Sequence, residues 1–365
     1  MDARHFDAFV SAIARGASRR RLLAAIPGGA LSMMAGLSLE SALTKKKKRK
    51  KRKKGKKPKP PQPEQCQPSE TPCGDACCVA GQTCIDGECL GACQFSDDND
   101  LKVRTLQADC ATIETIVIPA QFTLDGANRT IHLAGPISGY QSAAPGQIAV
   151  RAGILIKDGS GSVKNLTIDQ DSLQCEGTLR QSAIVMENGT GVIEDVDLRL
   201  TQNNRNCFRG GINAQTAADN QVVIVRNVTI AGNRFSGIEI SAATGSGDGV
   251  AGEISDCTIS GPGFGMVLSG PKNGFPITGN NVTANIGITL GSFPTNVLID
   301  DNTIAGLSGA TNLFGVNFSE DAAGTVSNNT ISGFTCGIAI QDGAGLVGES
   351  NNTLSGNTTP ICDPP

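Results

Sequence analysis

Residues 153–168 read GILIKDGSGSVKNLTI, and two short phrases in this stretch recur along the rest of the chain. The first phrase is a small residue, nearly always glycine, followed by an apolar residue, any residue and a second apolar residue. Its copies start at Gly153, Ala183, Gly211, Gly237, Gly265, Gly287, Gly315 and Gly337. The second phrase opens with Asn or Asp, and its copies start at Asn165, Asp195, Asn227, Asp256, Asn281, Asp301, Asn328 and Asn351. Successive first phrases lie 22 to 30 residues apart, a period typical of a solenoid whose units must stack to bury their apolar faces.

Both phrases alternate with period two, which predicts strands separated by Gly, Asn and Asp turns. Ile154, Ile156 and their counterparts are predicted to point inward and to form one aliphatic core. The second phrase predicts an inward column of Leu166, Val196, Val228, Cys257 and Val282, continued by Asn302, Asn329 and Asn352. Asparagines stacked in this way can satisfy their amides by hydrogen bonding to the coils above and below.

The pattern over residues 98–362 resembles the right-handed, pectin-lyase-like parallel β-helix family. The resemblance implies an all-β fold, a single-stranded right-handed parallel β-helix of about nine to eleven coils in residues 93–365. It also implies that TLQADC, from Thr105, is a short capping helix and that IVIPAQFTLDGANRTI, from Ile116, is the first coil. An antiparallel sandwich or propeller of short strands is the alternative, but neither requires a glycine in every unit.

Charge divides the chain into two unlike parts. Residues 1–59 hold 18 Lys and Arg against 3 acidic residues, and the remainder holds 13 against 31. After Arg234 the sequence has one basic residue, Lys272. Nucleic acid is therefore not a predicted partner of the acidic domain. One Tyr and no Trp leave few aromatic platforms for stacking sugars or bases.

Residues 1–44 are interpreted as an export signal or anchor. The stretch Ser18 to Leu23, SRRRLL, matches a twin-arginine pattern and precedes a moderately apolar segment, which indicates a bacterial protein that is carried across the membrane. A short buried helix with a basic cap is the alternative. The sequence SLESA, from Ser38, is a poor cleavage site, so retention as an anchor stays open.

Residues 45–65 are predicted to be a disordered linker, because they combine the basic run KKKKRKKRKKGKKPK (45–59) with a proline-rich end. After an export signal, such a run can tether the protein to an anionic wall polymer or a membrane surface; a solvated spacer is the other interpretation. We expect an extracellular or envelope-associated monomer.

The thirteen cysteines indicate an oxidising compartment. Six of them fall within residues 66–92, a segment that resembles a cystine-knot miniprotein and whose pairing stays open among fifteen arrangements: Cys66, Cys73, Cys77, Cys78, Cys84 and Cys89. In the solenoid, Cys175 and Cys207 occupy corresponding loops of consecutive coils and can pair. Cys93 with Cys110 can close the entry cap, and Cys336 with Cys362 the exit. Cys257 is then left over, and its inward column predicts a buried, inert thiol.

The candidate functional site lies in the first two coils, where unusually long loops follow the second phrase. These loops and the outward positions beside them supply eight candidates: Asp169, Asp171, Asp197, Arg199, Arg205, Arg209, Arg234 and Glu239. Such a cluster can bind Ca²⁺ and a polyuronate, or provide acid and base groups. No metal site or other cofactor is assigned. An ion-paired, solvated face is the alternative.

We expect a surface β-helix that binds polysaccharide or other envelope components without catalysis. The second hypothesis is a lyase or hydrolase of acidic polysaccharide, as the family resemblance implies. The chain lacks the Gly-His-Gly, Arg-Ile-Lys and Asp-Pro-His-Asp signatures of related enzymes, which favours binding. His132 is interpreted as structural, and Asp301 as a turn residue.

Overall fold

The computed structural model describes residues 66–67, 69–141, 150–157, 159–173, 180–200, 208–216, 221–232, 235–242, 249–270, 274–291, 296–309, 311–319, 321–341 and 343–363. At 208, 209, 216, 242 and 262 it describes the backbone alone. The signal segment (1–44) and the linker (45–65) predicted above lie outside these residues, as does the predicted bridge between Cys175 and Cys207.

Two antiparallel hairpins form the cysteine-rich module, with strands β1 (Thr71–Cys73), β2 (Ala76–Cys78), β3 (Thr83–Ile85) and β4 (Glu88–Leu90). Three disulfide bonds staple the hairpins: Cys66–Cys77, Cys73–Cys84 and Cys78–Cys89. Each bond closes a separation of 11 residues along the chain. A segment this short has little core of its own, so the bridges are its main stabilising element.

The remaining strands wind into successive coils. The first turns contain β5 (Phe95–Asp98), β6 (Val103–Leu106), β7 (Cys110–Glu114), β8 (Ile116–Ile118), β9 (Thr123–Ser138), β10 (Val150–Lys157), β11 (Ser162–Asp169), β12 (Arg180–Glu187), β13 (Gly191–Arg199), β14 (Phe208–Thr216), β15 (Val222–Ala231) and β16 (Ser236–Ala242). The later turns contain β17 (Ala251–Ser255), β18 (Thr258–Ser269), β19 (Pro276–Thr278), β20 (Asn281–Gly291), β21 (Asn296–Asp300), β22 (Thr303–Gly306), β23 (Phe314–Phe318), β24 (Ala323–Ser327), β25 (Thr330–Ser332), β26 (Cys336–Ile340), β27 (Gly345–Ser350), β28 (Thr353–Ser355) and β29 (Thr359–Cys362).

Three parallel sheets run along the solenoid, and the described residues supply ten strands to each. Sheet I contains the first phrase and runs from β8 through β10, β12, β14, β16 and the second halves of β18 and β20 to β23, β26 and β29. Sheet II runs from β6 to β27, and sheet III, which contains the second phrase, from β7 to β28. The ten coils confirm the predicted solenoid.

The glycine column exists because each of these residues lies close to the next strand of sheet I and to a side chain of sheet III. A Cβ atom on Gly211 would lie 2.5 Å from the carbonyl oxygen of Gly237 and 2.8 Å from Cδ1 of Ile230. On Gly237 it would lie 2.5 Å from Cγ2 of Ile259. Real Cβ atoms do not approach other atoms this closely, so a side chain there would push the sheets apart. The residues directly after this column are fully buried, as predicted: Ile154, Ile184, Ile212, Ile238 and their counterparts.

A left-handed residue turns the chain between sheets II and III in each coil. Asn165, Asp195, Asn227, Asp256, Asp301, Asn328 and Asn351 all have φ between 49° and 58°, a conformation that Asn and Asp tolerate better than other non-glycine residues. The second phrase therefore begins at a corner, and Asp301 is a turn residue as predicted.

The inward corner column departs from the prediction in one coil. Thr258 pairs with Asn281, and Asn281 with Thr303, so the residue that follows Cys257 in the column is Asn280, and the prediction of Val282 was wrong. The physical reason is that Gly279, with φ of 66°, occupies the corner that Asn or Asp occupies elsewhere. The phrase in this coil therefore starts two residues earlier, and Val282 packs one position further along sheet III.

The predicted asparagine stack is present and begins at Asn280. The Nδ2 of Asn280 donates to Oδ1 of Asn302 at 2.9 Å, Asn302 to Asn329 at 2.9 Å, and Asn329 to Asn352 at 3.0 Å. Each Oδ1 also accepts the backbone N–H of the preceding member. The ladder therefore satisfies polar groups that would otherwise be buried without partners.

The N-terminal end of the solenoid is strand, and the prediction of a capping helix at Thr105 was wrong. Thr105 lies in β6, which pairs antiparallel with β5 and parallel with β9, so the period-two alternation of this stretch prevails over its helical spacing. Disulfide bonds fasten both ends, Cys93–Cys110 at the start and Cys336–Cys362 at the finish. Among the described residues, no helix is long and apolar enough to cross a membrane.

Candidate functional site

Four of the eight candidates meet on the outer face of sheet III. Asp169 and Arg199 are register partners in β11 and β13. Nε of Arg199 donates to Oδ2 of Asp197 at 3.0 Å, and the backbone N–H of Asp171 donates to Oδ1 of Asp169 at 2.7 Å. The fifth member of this sheet III cluster is His132, whose Nδ1 lies 3.3 Å from Oδ2 of Asp169.

The surroundings of Asp169 favour its charged form. Partial burial raises the pKa of its carboxyl group. The His132 imidazole, the Asp171 N–H and the charge of Arg199 more than offset this effect, so the pKa is below the ordinary value. No hydrogen-bond partner is found for Nδ1 of His132 among the described residues, so its contact with Asp169 is electrostatic. It places an imidazole beside a carboxylate, as in many acid–base pairs.

The other candidates do not join this cluster. Glu239 lies in β16 of sheet I, apart from Asp169 and the rest of the predicted cluster. Its position follows from topology: the first phrase forms sheet I, and the second phrase forms sheet III. Arg205 and Arg234 lie outside the described residues, and of Arg209, in β14, the structure describes the backbone alone.

Glu239 belongs instead to a second group on the outer face of sheet I, built around the buried Arg180. Arg180 is 3% exposed and forms an ion pair with Oε2 of Glu239. Its Nη2 donates to Oγ of Ser236 at 2.6 Å, and Oγ of Ser236 donates to Glu239 at 3.0 Å. The guanidinium also lies 4.0 Å from the ring centroid of Phe235, an additional favourable contact for a cation.

Polar side chains continue from this group along the outer face of sheet I. The register aligns Val185, Asn213, Glu239, Val267, Thr289, Asn317 and Ala339 in one outward column. Asn213 is fully buried, Thr289 is 2% exposed and Asn317 is 6% exposed. Among the described residues, no hydrogen-bond partner is found for either amide atom of Asn213, for Oγ1 of Thr289 or for Oδ1 of Asn317. Buried groups of this kind are uncommon and call for a polar partner.

The repeat carries the signal for two residues of this second face. Asn213 and Glu239 occupy the third position of GINA and GIEI, so aligning the first phrases predicts that they are neighbours. Arg180 and Ser236 precede the phrases, so aligning the phrases does not pair them. Their contact spans 56 residues of sequence, because the Arg180 side chain extends from β12 across β14 to β16.

Metal binding has little support in the described part of the chain. The His, Cys, Asp and Glu groups that converge closely enough there are Cys73 with Cys78 and Cys89, and Cys66 with Glu70 and Cys77. All five cysteines are in disulfide bonds, so they offer no thiolate ligand. No three carboxylates of the described residues converge in this way, and Ca²⁺ binding stays a prediction.

Comparison with known proteins agrees with the architecture. The family model described as right handed beta helix region matches residues 152–362. The chain belongs to this right-handed β-helix family, and the match gives the handedness of the solenoid. A search of curated proteins found no match. The disulfide bonds indicate that the protein matures in an oxidising environment.

Proposed function

We propose that the protein is an exported β-helix that binds polysaccharide, or another envelope glycan, along the outer face of sheet I. The observation that carries the proposal is the outward column with unpaired polar groups at Asn213, Thr289 and Asn317. Asn213 and Thr289 lie three strands apart, roughly 14 Å at the usual strand spacing. A linear glycan presents hydroxyl groups over such a length, and each hydroxyl both donates and accepts a hydrogen bond.

Export and attachment belong to the same proposal. The disulfide bonds support an extracellular location, and the twin-arginine pattern at Ser18 to Leu23 supports bacterial export. The basic run at residues 45–59 would then hold the protein, as a monomer, near an anionic wall polymer or membrane surface. Anionic polymers would bind the basic segment and would be repelled by the acidic solenoid. The glycan-binding face of the solenoid would therefore stay free.

A glycan array followed by calorimetry tests the proposal. We expect the chain from Cys66 onward to bind at least one polysaccharide, and Thr289→Val and Asn317→Ala to weaken binding about tenfold, the loss of one good hydrogen bond. Thr303→Val is the matched control, because Thr303 is an exposed threonine of sheet III. The proposal fails if no glycan binds, or if the control variant loses as much affinity as the sheet I variants.

A carbohydrate-active enzyme is the second candidate, and the His132–Asp169 contact favours it. An oriented histidine can act as a general base, and Asp197 and Arg199 beside it can hold an acidic substrate. The test is turnover of polyuronates and neutral glycans by the wild type and by Asp169→Asn and His132→Gln. We expect an enzyme to lose at least about 100-fold in kcat with either change. Absence of turnover with every glycan would exclude this candidate.

A further inference from the structure

The group around Arg180 is a built site with balanced charge. Arg180, Ser182, Asn213, Ser236 and Glu239, here named the Arg180 site, come from three successive strands of sheet I. The positive charge of Arg180 and the negative charge of Glu239 are in direct contact, and a buried guanidinium requires such a partner. Glu239 is 17% exposed, so the site meets solvent at the carboxylate and is closed below it.

Gly210 allows this arrangement. Arg180 is in β12 and its partners are in β16, so its side chain must cross β14. A Cβ atom on Gly210 would lie 3.4 Å from Nη2 of Arg180 and 3.1 Å from Oγ of Ser182. Any larger side chain would occupy the path of the guanidinium. The absence of a side chain at position 210 therefore brings Arg180 and Ser182 together above one strand.

Several hydrogen-bonding groups of the site have no partner among the described residues: Nε of Arg180, Oγ of Ser182, and both amide atoms of Asn213. All three residues are nearly or fully buried. Asn213 is the register partner of Glu239, so the free amide lies next to the ion pair. A buried donor or acceptor without a partner is unfavourable, and a ligand that pairs with these groups would remove this penalty.

We propose that the Arg180 site selects an uncharged sugar and rejects a uronate, an inference that rests on the proposed glycan-binding function. The unpaired groups include two donors, Nε of Arg180 and Nδ2 of Asn213, an acceptor, Oδ1 of Asn213, and the Ser182 hydroxyl, which does both. Sugar hydroxyls match this mixture. A uronate carboxylate accepts hydrogen bonds only, and it would face Glu239 while Arg180 is already neutralised. Two like charges that are brought close together near a protein surface repel each other.

A matched pair of ligands tests this selectivity. The first is the hexose-containing neutral glycan with the highest affinity in the array, and the second is the same glycan with its primary hydroxyls oxidised to carboxylates. Calorimetry with the wild-type chain should show at least tenfold weaker binding of the oxidised form. The preference should persist in about 0.5 M salt, where charges further apart than roughly 4 Å are screened. Loss of the preference in salt would assign it to the acidic surface as a whole and would overturn the inference.

Glu239→Gln provides the second arm. Without the carboxylate, Arg180 carries an uncompensated charge, so the affinity for the oxidised glycan should rise at least tenfold. Glu114→Gln is the matched control, since it removes an exposed carboxylate of sheet III that lies outside the Arg180 site. Unchanged selectivity in Glu239→Gln would overturn the inference. If this variant does not fold, the double change Arg180→Gln with Glu239→Gln avoids the unpaired charge. It also removes the carboxylate that faces the uronate, so the preference for the neutral glycan should weaken; an undiminished preference would contradict the proposal.

The outcomes separate the two proposals. If the array detects uronates but no neutral glycan, the protein binds glycans, and the selectivity assigned to the Arg180 site is wrong. If Thr289→Val weakens binding while Glu239→Gln leaves selectivity unchanged, the sheet I face is confirmed as the binding surface and the Arg180 site is not part of it. If no glycan binds at all, the proposed function fails, and the selectivity inferred from it fails with it.

Discussion

The early and late coils hold the same corner in two different ways. In the early coils the inward corner residues are Leu166, Val196 and Val228, which are buried and apolar. In the late coils they are Asn280, Asn302, Asn329 and Asn352, joined by hydrogen bonds. The sheet III cluster and the Arg180 site both lie in the early and middle coils. The difference shows that one backbone geometry accepts either an aliphatic stack or an amide ladder, provided that every amide finds a partner.

Breaking the ladder in its middle should have the largest effect. Asn302→Ala removes the acceptor of the Asn280 backbone and side-chain N–H groups, and the donor to the carbonyl groups of Ile277 and Asp300. Each buried group left unpaired costs about 1–3 kcal/mol, so we expect a loss of about 4 kcal/mol in the free energy of unfolding. Denaturant unfolding followed by circular dichroism measures it. Thr303→Ala, an exposed neighbour, is the control and should cost under about 0.5 kcal/mol.

The same position in an early coil should respond less and for a different reason. Leu166→Ala leaves a cavity without leaving polar groups unpaired, and such changes cost about 3 kcal/mol. Adding a hydrophobic side chain distinguishes the two mechanisms: Asn302→Leu should stay as destabilising as Asn302→Ala, since the cost lies in the unpaired amides. Recovery of stability in Asn302→Leu would show that the late corner is held by volume, as the early corner is.

Cys257 lies at the boundary between the two kinds of corner. Its backbone N–H donates to Oδ1 of Asn280, and its thiol contacts the carbonyl groups of Ser255 and Val225. The side-chain amide of Asn302 contacts the equivalent carbonyl groups, those of Asp300 two residues earlier and Ile277 in the preceding coil. The thiol of Cys257 thus occupies the place of an asparagine amide in the ladder. We expect Cys257→Asn to extend the ladder and to change stability by no more than about 1 kcal/mol.

The thiol gives a direct measurement of this corner. Burial raises the pKa of Cys257 to about 12, so the reactive thiolate is nearly absent at pH 8. Iodoacetamide should label the native protein very slowly and the unfolded protein at the rate of an ordinary thiol. Among the cysteines in the described part of the chain, Cys257 is the free one, which makes the readout specific there. Fast labelling of the native protein would contradict the burial of this corner.

The sequence predicts the fold well because its signals are local and repeated. The glycine column marks sheet I, and the Asn or Asp that opens most second phrases marks the left-handed corner. The prediction failed at Asn280 because Gly279 takes the corner without the expected side chain. The Arg180 site was not predicted, because its charge pair joins strands two coils apart and depends on Gly210, whose role is visible only when the side chains are packed. Charged residues of sheets I and III were predicted to form one cluster. Aligning the repeats shows which residues share a coil, but it does not give the distance between the two sheets.

The smallest expected effect concerns the early coils and depends on pH. The pKa of Asp169 is lower in the folded protein than in an unfolded chain. Its carboxylate therefore stabilises the fold above the ordinary Asp pKa of about 4, and this contribution is lost as the pH falls through the lower folded value. Asp169→Asn should melt at a lower temperature than the wild type near neutral pH, and the difference should shrink below about pH 4. Asp301→Asn is the matched control, because Asn holds the same left-handed corner at Asn328. A difference for Asp169→Asn that stays constant down to acidic pH would mean that Asp169 contributes shape to the sheet III cluster and no charge.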